Sequence, residues 1–336
     1  MKTDLKFRVM LIGAFLCAGL ATPAVAEEGV FLDPVTGDYT IRYRGYGDAL
    51  GEATFYPHTK IDPAVKSKIG QADDGSIVYR YKVKNGEKSK QNLISLRVTS
   101  RQAIANSQNT PPGWNAGINP ISSAHPIYGD VGNFVSWGFL NILASREGIT
   151  SKGLAPGTSQ EFEFRSLLVP GVGIMSLRGS APVTEFRDDG PSHTSAVGIA
   201  LSRLEQNDFV PRFVAAPRIV VPSPFDTAVV LASIQQHIKT DMLSMQLVDA
   251  AFVIQLDPWF ASAIDAAKRN NTEGLRHAIK EMRQLLKQEH ADVDDDGDWE
   301  ADDKEKKPKP RIDKLAARVL DFDLKYVEKR VKGDKD

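Results

Sequence analysis

The chain has 336 residues, is 42% hydrophobic and carries a formal net charge of −1 at pH 7. This length suits two ordinary domains, and the near-neutral charge argues against a nucleic-acid binder, which needs an excess of Lys and Arg to neutralise phosphates. After the first 26 residues, no apolar stretch is long and uncharged enough to span a bilayer.

Residues 1–26 have the three parts of a secretory signal peptide. Basic residues open the segment, the apolar run 9–20 follows, and Ala24-Val25-Ala26 supplies the small residues of a cleavage site. The apolar run is short for a membrane span, which needs roughly 20 residues. We therefore expect a periplasmic or secreted protein, whose mature part from residue 27 has a net charge of about −3.

The chain's one cysteine, Cys17, lies inside this leader. The mature protein therefore has no thiol nucleophile, no thiolate-bound metal and no disulfide. Because exported proteins often rely on disulfides, we expect this one to be stabilised by core burial instead, with help from a metal.

Residues 27–186 alternate apolar and polar side chains in short runs that turn residues separate. The runs are, in chain order, 38–44, 77–83, 93–98, 134–137 and 161–165. Short strands broken by Gly and Pro at such intervals favour an antiparallel β-sandwich.

The first of these strands places Tyr39 and Tyr43 on one side and Arg42 and Arg44 on the other. This pattern has two interpretations. The tyrosines either present a flat face to a sugar or are buried while the arginines face solvent, which is the ordinary state of an antiparallel strand.

Residues 187–222 contain few apolar repeats and several prolines, among them Pro211 and Pro217. Because proline interrupts both helices and sheets, we interpret this segment as a linker, with a short helix near 195–204.

Helical spacing of apolar residues begins after the linker. Ser223-Pro224 has the form of an N-cap followed by proline at the first helical position, and predicts a helix to Gln255 with a break near Thr240-Asp241. The starts predicted for three further helices are Asp257-Pro258, the cap Thr272, and Ile312.

These helices predict a small helical bundle over 223–330, followed by a charged tail at 331–336. The fold class expected for the chain is therefore α+β, with an N-terminal antiparallel β-sandwich and a C-terminal helical bundle.

Four short motifs follow one another along residues 30–186. They are Pro112-Gly113-Trp114, Val135-Ser136-Trp137, Leu154–Ser159 and Phe162-Glu163-Phe164. This order resembles uncharacterised exported β-sandwich proteins of bacteria over residues 30–186, in which such motifs mark strand ends and turns. The resemblance implies a sandwich and no activity. The two tryptophans either pack in the core or form a ligand platform.

In the helical half, Phe260–Lys268 leads through Asn270-Asn271-Thr272 into Leu275–Ile279. Within residues 223–289 this segment resembles the helical hairpin of the FIMAH domain, an accessory module of secreted bacterial enzymes and surface proteins. The resemblance implies an extracellular helical module.

An acidic loop at 292–303 has the spacing of a calcium-binding loop. Asp292, Asp294 and Asp296 hold positions 1, 3 and 5, and Gly297 holds the turn position 6. The oxygen donors expected at positions 7, 9 and 12 are Asp298, Glu300 and Asp303. Alternating residues of a tight loop converge on one point, and Ca²⁺ needs six to eight hard oxygens. The alternative is a solvated acidic linker that precedes a basic one.

The sequence contains none of the common catalytic motifs. Gly171-Val172-Gly173 lacks the third glycine of a dinucleotide fingerprint at the required spacing. The histidines are scattered singly, and His237 and His277 fall on predicted helices, where a surface or boundary position is the ordinary interpretation.

We therefore expect a non-catalytic binding or scaffold protein of the cell envelope or extracellular space, stabilised by Ca²⁺. Its partner would be an envelope or extracellular protein or a glycan. One alternative is a hydrolase that acts on an envelope or extracellular polymer, and another is a structural component of a surface assembly that pairs edge strands.

Overall fold

The computed structural model describes residues 27–100, 103–104, 107–120, 133–139, 153–293 and 309–333. The predicted leader, residues 294–308 of the acidic region and the last three residues of the charged tail lie outside these ranges. The described chain is mixed α+β, as the sequence predicts, and most of its strands precede most of its helices. None of the described helices combines the length and apolarity that a membrane crossing requires.

The strands are β1 Gly29–Leu32, β2 Tyr39–Arg44, β3 Leu50–Phe55, β4 Pro63–Gln71, β5 Ile77–Asn85, β6 Leu93–Ser100, β7 Trp114–Pro120, β8 Asn133–Phe139, β9 Ser159–Ser166, β10 Val169–Gly179 and β11 Val210–Ile219. The helices are α1 Ala196–Gln206, α2 Thr227–His237, α3 Ala250–Lys268, α4 Thr272–Glu289 and α5 Lys314–Val331.

The strands form three antiparallel sheets. Their strand orders are β1-β2-β3, β11-β10-β6-β8-β7 and β4-β5-β9. The sequence predicts two domains that divide after residue 186, but contacts divide the chain differently. One compact unit comprises Met1–Phe55 and Thr184–Glu205, and the other comprises Tyr56–Val183 and Gln206–Asp336.

The smaller unit is built on β1, β2 and β3. Its buried core includes Ile41, Tyr43 and Val197, and the Tyr43 hydroxyl donates to the carbonyl of Arg187 at 2.7 Å. Tyr43 is therefore a core residue, so the interpretation of Tyr39 and Tyr43 as an exposed sugar platform is wrong.

The larger unit has one continuous core that includes both strand and helix residues. On the strand side, Phe162 and Phe164 of β9 lie against Trp137 of β8, with ring centroids 5.6 and 6.0 Å apart. Trp114 of β7 is also buried and contacts Phe162 at 5.0 Å. Both tryptophans are therefore packing residues, and the sheets and helices share a core rather than forming separate domains.

Residues 187–222 are not a plain linker. They contain α1, close to the short helix that the sequence predicts, and also β11, which the sequence does not predict. β11 includes Pro211 and Pro217, which cannot donate to a sheet ladder. Both prolines are tolerated because β11 is the edge strand of its sheet and, among the described strands, pairs only with β10.

Two predicted helix starts are wrong because other residues cap the helices. α2 begins at Thr227 rather than after Ser223, since the Asp226 carboxylate accepts the backbone N–H of Val229 at 3.0 Å. α3 begins at Ala250, where Asp249 accepts the N–H of Phe252 at 2.6 Å, and Pro258 lies inside the helix.

Helix α5 is buried on all sides, because it packs against β10, β11, α2 and α4. Its buried residues include Asp321 and Asp323, each 1% exposed. Two positions along an α-helix differ by about 200°, so these carboxyls face opposite sides. Asp321 pairs with Arg283 of α4 at 2.7 Å and with Lys325 at 2.9 Å. Neither oxygen of Asp323 has a hydrogen-bond partner among the described residues.

Candidate functional site

A cleft of about 600 Å³ lies between the end of β11 and helix α2 in the larger unit. Its apolar wall consists of Ile219, Val220, Val229 and Ala232. Its polar end consists of Arg218, Ser233, Gln236, His237, Thr240 and Asp241. A concave site with an apolar wall and a few convergent polar groups is the usual form of a ligand pocket.

The imidazole of His237 is held by hydrogen bonds at both nitrogens. The backbone N–H of Val172 donates to Nε2 at 3.0 Å, and Nδ1 lies 2.7 Å from Oδ2 of Asp241. Because Nε2 accepts a hydrogen bond, the proton of the neutral ring lies on Nδ1 and is donated to Asp241. His237 is 6% exposed, so the interpretation of this residue as a surface or boundary histidine is wrong.

The local backbone explains why these groups meet. Pairing between β10 and β6 covers only Met175–Gly179, so the N–H of Val172 lies beyond that ladder and takes a side chain as its acceptor. On the other side, α2 continues as a π-helical segment, Ile238–Met242, at the break that the sequence predicts near Thr240-Asp241. This segment carries Asp241 one turn beyond His237.

Two glycines of β10 leave the space that His237 and Arg218 occupy. A Cβ atom on Gly171 would lie 2.6 Å from Nε2 of His237, and one on Gly173 would lie 3.2 Å from Nε of Arg218. The Gly171-Val172-Gly173 motif therefore has a steric role, which is to admit two polar side chains against the strand.

Opposite charges face each other at the polar end of the cleft. The hydrogen bond from His237 lowers the pKa of Asp241, and the nearby Arg218 guanidinium lowers it further, against the opposing effect of burial. Asp241 is therefore a carboxylate at neutral pH. Arg218 also donates through one terminal nitrogen to the hydroxyl of Thr99 at 2.9 Å.

This arrangement suits binding better than acid–base catalysis. A general base needs a nitrogen or oxygen within reach of the proton that it removes. Both ring nitrogens of His237 are already engaged with groups of the protein, so the ring acts as a link between β10 and the π-helical segment.

The ends of the acidic region are held together by three pairs of residues, each 22 positions apart. Arg311 contacts Glu289 at 2.9 Å, Nε2 of His290 donates to the carbonyl of Ile312 at 2.8 Å, and Lys314 contacts Asp292 at 2.5 Å. Arg318 also reaches the Asp292 carboxylate, at 3.3 Å. The hydrogen bond from Lys314 lowers the pKa of Asp292, and the charges of Lys314 and Arg318 act in the same direction against the opposing effect of burial.

The structure places only one of the six predicted calcium ligands. Asp292 lies in the described part of the chain, next to two cationic side chains. The ligands outside the described residues are Asp294, Asp296, Asp298, Glu300 and Asp303. Within the described ranges, no three His, Cys, Asp or Glu side chains are grouped as a metal ion would require.

The sequence does not single out the residues that form the polar end of the cleft. His237 and Asp241 are four positions apart near a predicted helix break, and this spacing is a usable signal. Arg218 had no such signal, because it lies in a segment interpreted as a linker.

Comparison of the chain with protein-family models, with curated proteins and with solved structures finds no match. The class that fold and site define is therefore an α+β protein whose larger unit carries an apolar cleft with a charged end.

Proposed function

We propose that this chain is an exported, non-catalytic binding or scaffold protein of the cell envelope or extracellular space. The observation that carries the proposal is the engagement of both His237 nitrogens at the polar end of the cleft. The leader pattern supports the location, and the resemblances to exported β-sandwich proteins and to the FIMAH-type module agree with it. In the proposal, the five-stranded and the β4-β5-β9 sheets form a β-sandwich that supports the cleft.

The cleft's chemistry favours a protein segment as the partner. Val220 and Val229 are exposed at the apolar wall and remain available for apolar side chains. Arg218 and Asp241 offer charges of both signs at the other end, which fix the orientation of a bound backbone or side chain better than they add affinity.

A charge placed on the apolar wall is expected to abolish partner capture. Immobilised residues 27–336 would be presented with envelope and culture-supernatant extracts, as the wild type and as Val229→Glu. Burying the new carboxylate against an apolar partner without a counter-ion costs several kcal/mol, so we expect capture of the specific partner to fall at least tenfold. Quantitative mass spectrometry of the eluates measures this.

The matched control is Ile254→Glu, because Ile254 is also an exposed helical aliphatic residue and does not line the cleft. This variant should retain the wild-type capture. Equal capture by wild type and Val229→Glu would exclude the cleft. Turnover of an envelope polymer that a single substitution abolishes would instead favour the hydrolase, and recovery of the intact chain from cytosol would exclude export.

We also propose that the acidic loop at 292–303 binds one structural Ca²⁺ ion. The paired residues at its base support this proposal, since a loop whose ends are already held loses less conformational entropy when it closes around a metal. Both cationic contacts of Asp292 are made by Oδ2, so the proposal assigns Oδ1 to the ion.

Calcium is expected to raise the melting temperature of residues 27–336. One site at 100 times its dissociation constant adds about 2.7 kcal/mol to the free energy of unfolding. Asp294→Asn/Asp296→Asn should lose this effect, whereas Asp188→Asn/Asp189→Asn removes the same charge elsewhere and should keep it. Isothermal titration together with thermal melting checks both. The absence of heat and of a thermal shift at millimolar Ca²⁺ would remove the proposal.

A further inference from the structure

A strongly basic face lies on the β4-β5-β9 sheet, in the larger unit. Every second residue of β4 and β5 is buried, and Val65, Tyr81 and Val83 are among those in the core. The residues between them project from the opposite face, because successive side chains of a strand alternate. Five basic residues share that face and are called the basic surface from here on: Lys66, Lys68, Arg80, Lys82 and Lys84.

The register of the two strands places like charges opposite each other. Lys66 lies opposite Lys82, and Lys68 lies opposite Arg80. Like charges at directly opposite positions of an antiparallel pair destabilise the sheet. The arrangement therefore opposes folding, and an anionic partner on this face would remove the repulsion.

The acidic residues of the neighbouring strand do not neutralise the basic surface. Glu163 of β9 lies opposite Arg80 and accepts a hydrogen bond from its Nε at 2.8 Å. Glu161 lies opposite Lys82 but forms no ion pair with it. The exposed members that form no ion pair within the described chain are Lys68, Lys82 and Lys84. The face thus keeps an excess of positive charge, although the whole chain has a net charge of −1.

We propose that the basic surface binds the headgroups of anionic phospholipids at a membrane surface, without insertion of the chain into the bilayer. Basic side chains close to such a surface are attracted by its negative potential, and their contributions add. Most of these side chains are lysines, whose compact charge on a flexible stem can follow mobile phosphate groups.

The composition of the face favours a membrane over an acidic glycan. The aromatic residues of β5 and β9 all belong to the buried core, and they are Tyr79, Tyr81, Phe162 and Phe164. The face therefore offers no aromatic ring from these strands on which a sugar or an unpaired base could stack. Its basic residues repeat about every 7 Å along a strand and about every 5 Å between strands, so that several headgroups are contacted at once.

Co-sedimentation of residues 27–336 with vesicles tests this proposal, which is independent of the cleft. We expect binding to vesicles of phosphatidylglycerol and phosphatidylcholine in equal amounts, and none to vesicles of phosphatidylcholine alone. The binding should be lost when NaCl is raised from about 0.1 M to about 1 M, because the screening length falls from about 10 Å to about 3 Å.

Neutralising the three lysines without ion pairs is expected to weaken vesicle binding strongly. Each basic residue near the membrane contributes roughly a fivefold gain in affinity. Lys82→Gln should therefore weaken binding about fivefold, and Lys68→Gln/Lys82→Gln/Lys84→Gln about twentyfold or more. Thermal melting without vesicles verifies that both variants are folded, and the single substitution keeps the test available if the triple variant is not.

The matched control removes the same total charge from exposed lysines of three helices, as Lys268→Gln/Lys280→Gln/Lys329→Gln. It should bind as the wild type does. An equal loss in this control would show that attraction follows the total charge rather than this face, and would overturn the proposal. Absence of binding to the anionic vesicles, binding that 1 M NaCl leaves unchanged, or binding to the acidic glycan polygalacturonate in place of the vesicles would also overturn it.

Discussion

Replacing Asp323 by asparagine is expected to raise the free energy of unfolding at pH 7, by about 1.4 kcal/mol for each pH unit that separates the unfolded pKa from the native pKa or from pH 7, whichever is lower. Asp323 is 1% exposed on α5, and neither of its oxygens has a hydrogen-bond partner among the described residues. Burial raises the pKa of this carboxyl well above its ordinary value, so the native protein holds it protonated. Asparagine has nearly the same shape and removes the cost of holding that proton.

The sign of the effect follows from proton linkage. The unfolded chain releases this proton above about pH 3.9, whereas the native state retains it, so wild-type stability falls as the pH rises. Each pH unit between the unfolded and the native pKa costs about 1.4 kcal/mol. The advantage of Asp323→Asn should therefore disappear near pH 4 and grow toward pH 7. Urea unfolding at a series of pH values measures it.

Asp321→Asn is the matched control, because Asp321 is equally buried on the same helix and has two cationic partners, Arg283 and Lys325. Its loss should destabilise the protein by about 2 kcal/mol, since charge-assisted hydrogen bonds are lost. The two substitutions should thus act in opposite directions. A difference between Asp323→Asn and the wild type that does not grow from pH 4 to pH 7 would show that the native protein does not hold Asp323 protonated.

Alternation and helical spacing predict the strands and helices whose pattern is local. Strands β5 and β6 and helices α4 and α5 lie close to their predicted positions. In these segments the spacing of apolar residues and the flanking turn or cap residues indicate the same bounds. The sequence does not predict β11, because proline is rare inside strands. Proline is compatible with a strand at the edge of a sheet, which is where β11 lies. Edge position is a property of the whole sheet and cannot be read from the segment.

The sequence also fails to predict the core that the strands and helices of the larger unit share, because this core depends on contacts between distant segments. α5 has polar residues on the side that an amphipathic helix would leave in water, so the pattern suggests a bundle with one exposed face. In the structure that side is covered, and the buried Asp321 is tolerated through Arg283 of α4. Such pairing depends on contacts between distant segments.

The candidate cleft depends on the same kind of long-range contact. His237 and Asp241 are neighbours along a helix. The role of His237 as a link depends on its hydrogen bond from Val172, which lies 65 positions earlier in the chain. The Gly171-Val172-Gly173 motif is visible in the sequence, yet its role becomes clear only when the two side chains that fill the space beside it are known.

Replacing Gly171 by alanine is expected to destabilise the protein by about 2–6 kcal/mol and to disrupt the cleft. The added Cβ would lie 2.6 Å from Nε2 of His237 and 2.8 Å from Cβ of Arg218, so at least one of these side chains must move. Overpacking costs about 1–3 kcal/mol, and loss of the Val172 hydrogen bond leaves a buried N–H without its acceptor, which adds about 1–3 kcal/mol. Chemical unfolding measures the change in stability.

Gly70→Ala is the control, because a Cβ at this strand position meets no atom within 4 Å. It should be neutral or slightly stabilising, since alanine loses less backbone entropy than glycine on folding. The mechanism is tested by a double-mutant cycle with His237→Ala, which removes the ring that the new methyl group would strike. If the contact with His237 causes the loss, Gly171→Ala should cost at least 1 kcal/mol less in that background. Simple additivity would assign the cost to Arg218 or to the backbone, and would mean that the hydrogen bond from Val172 contributes little to holding the cleft.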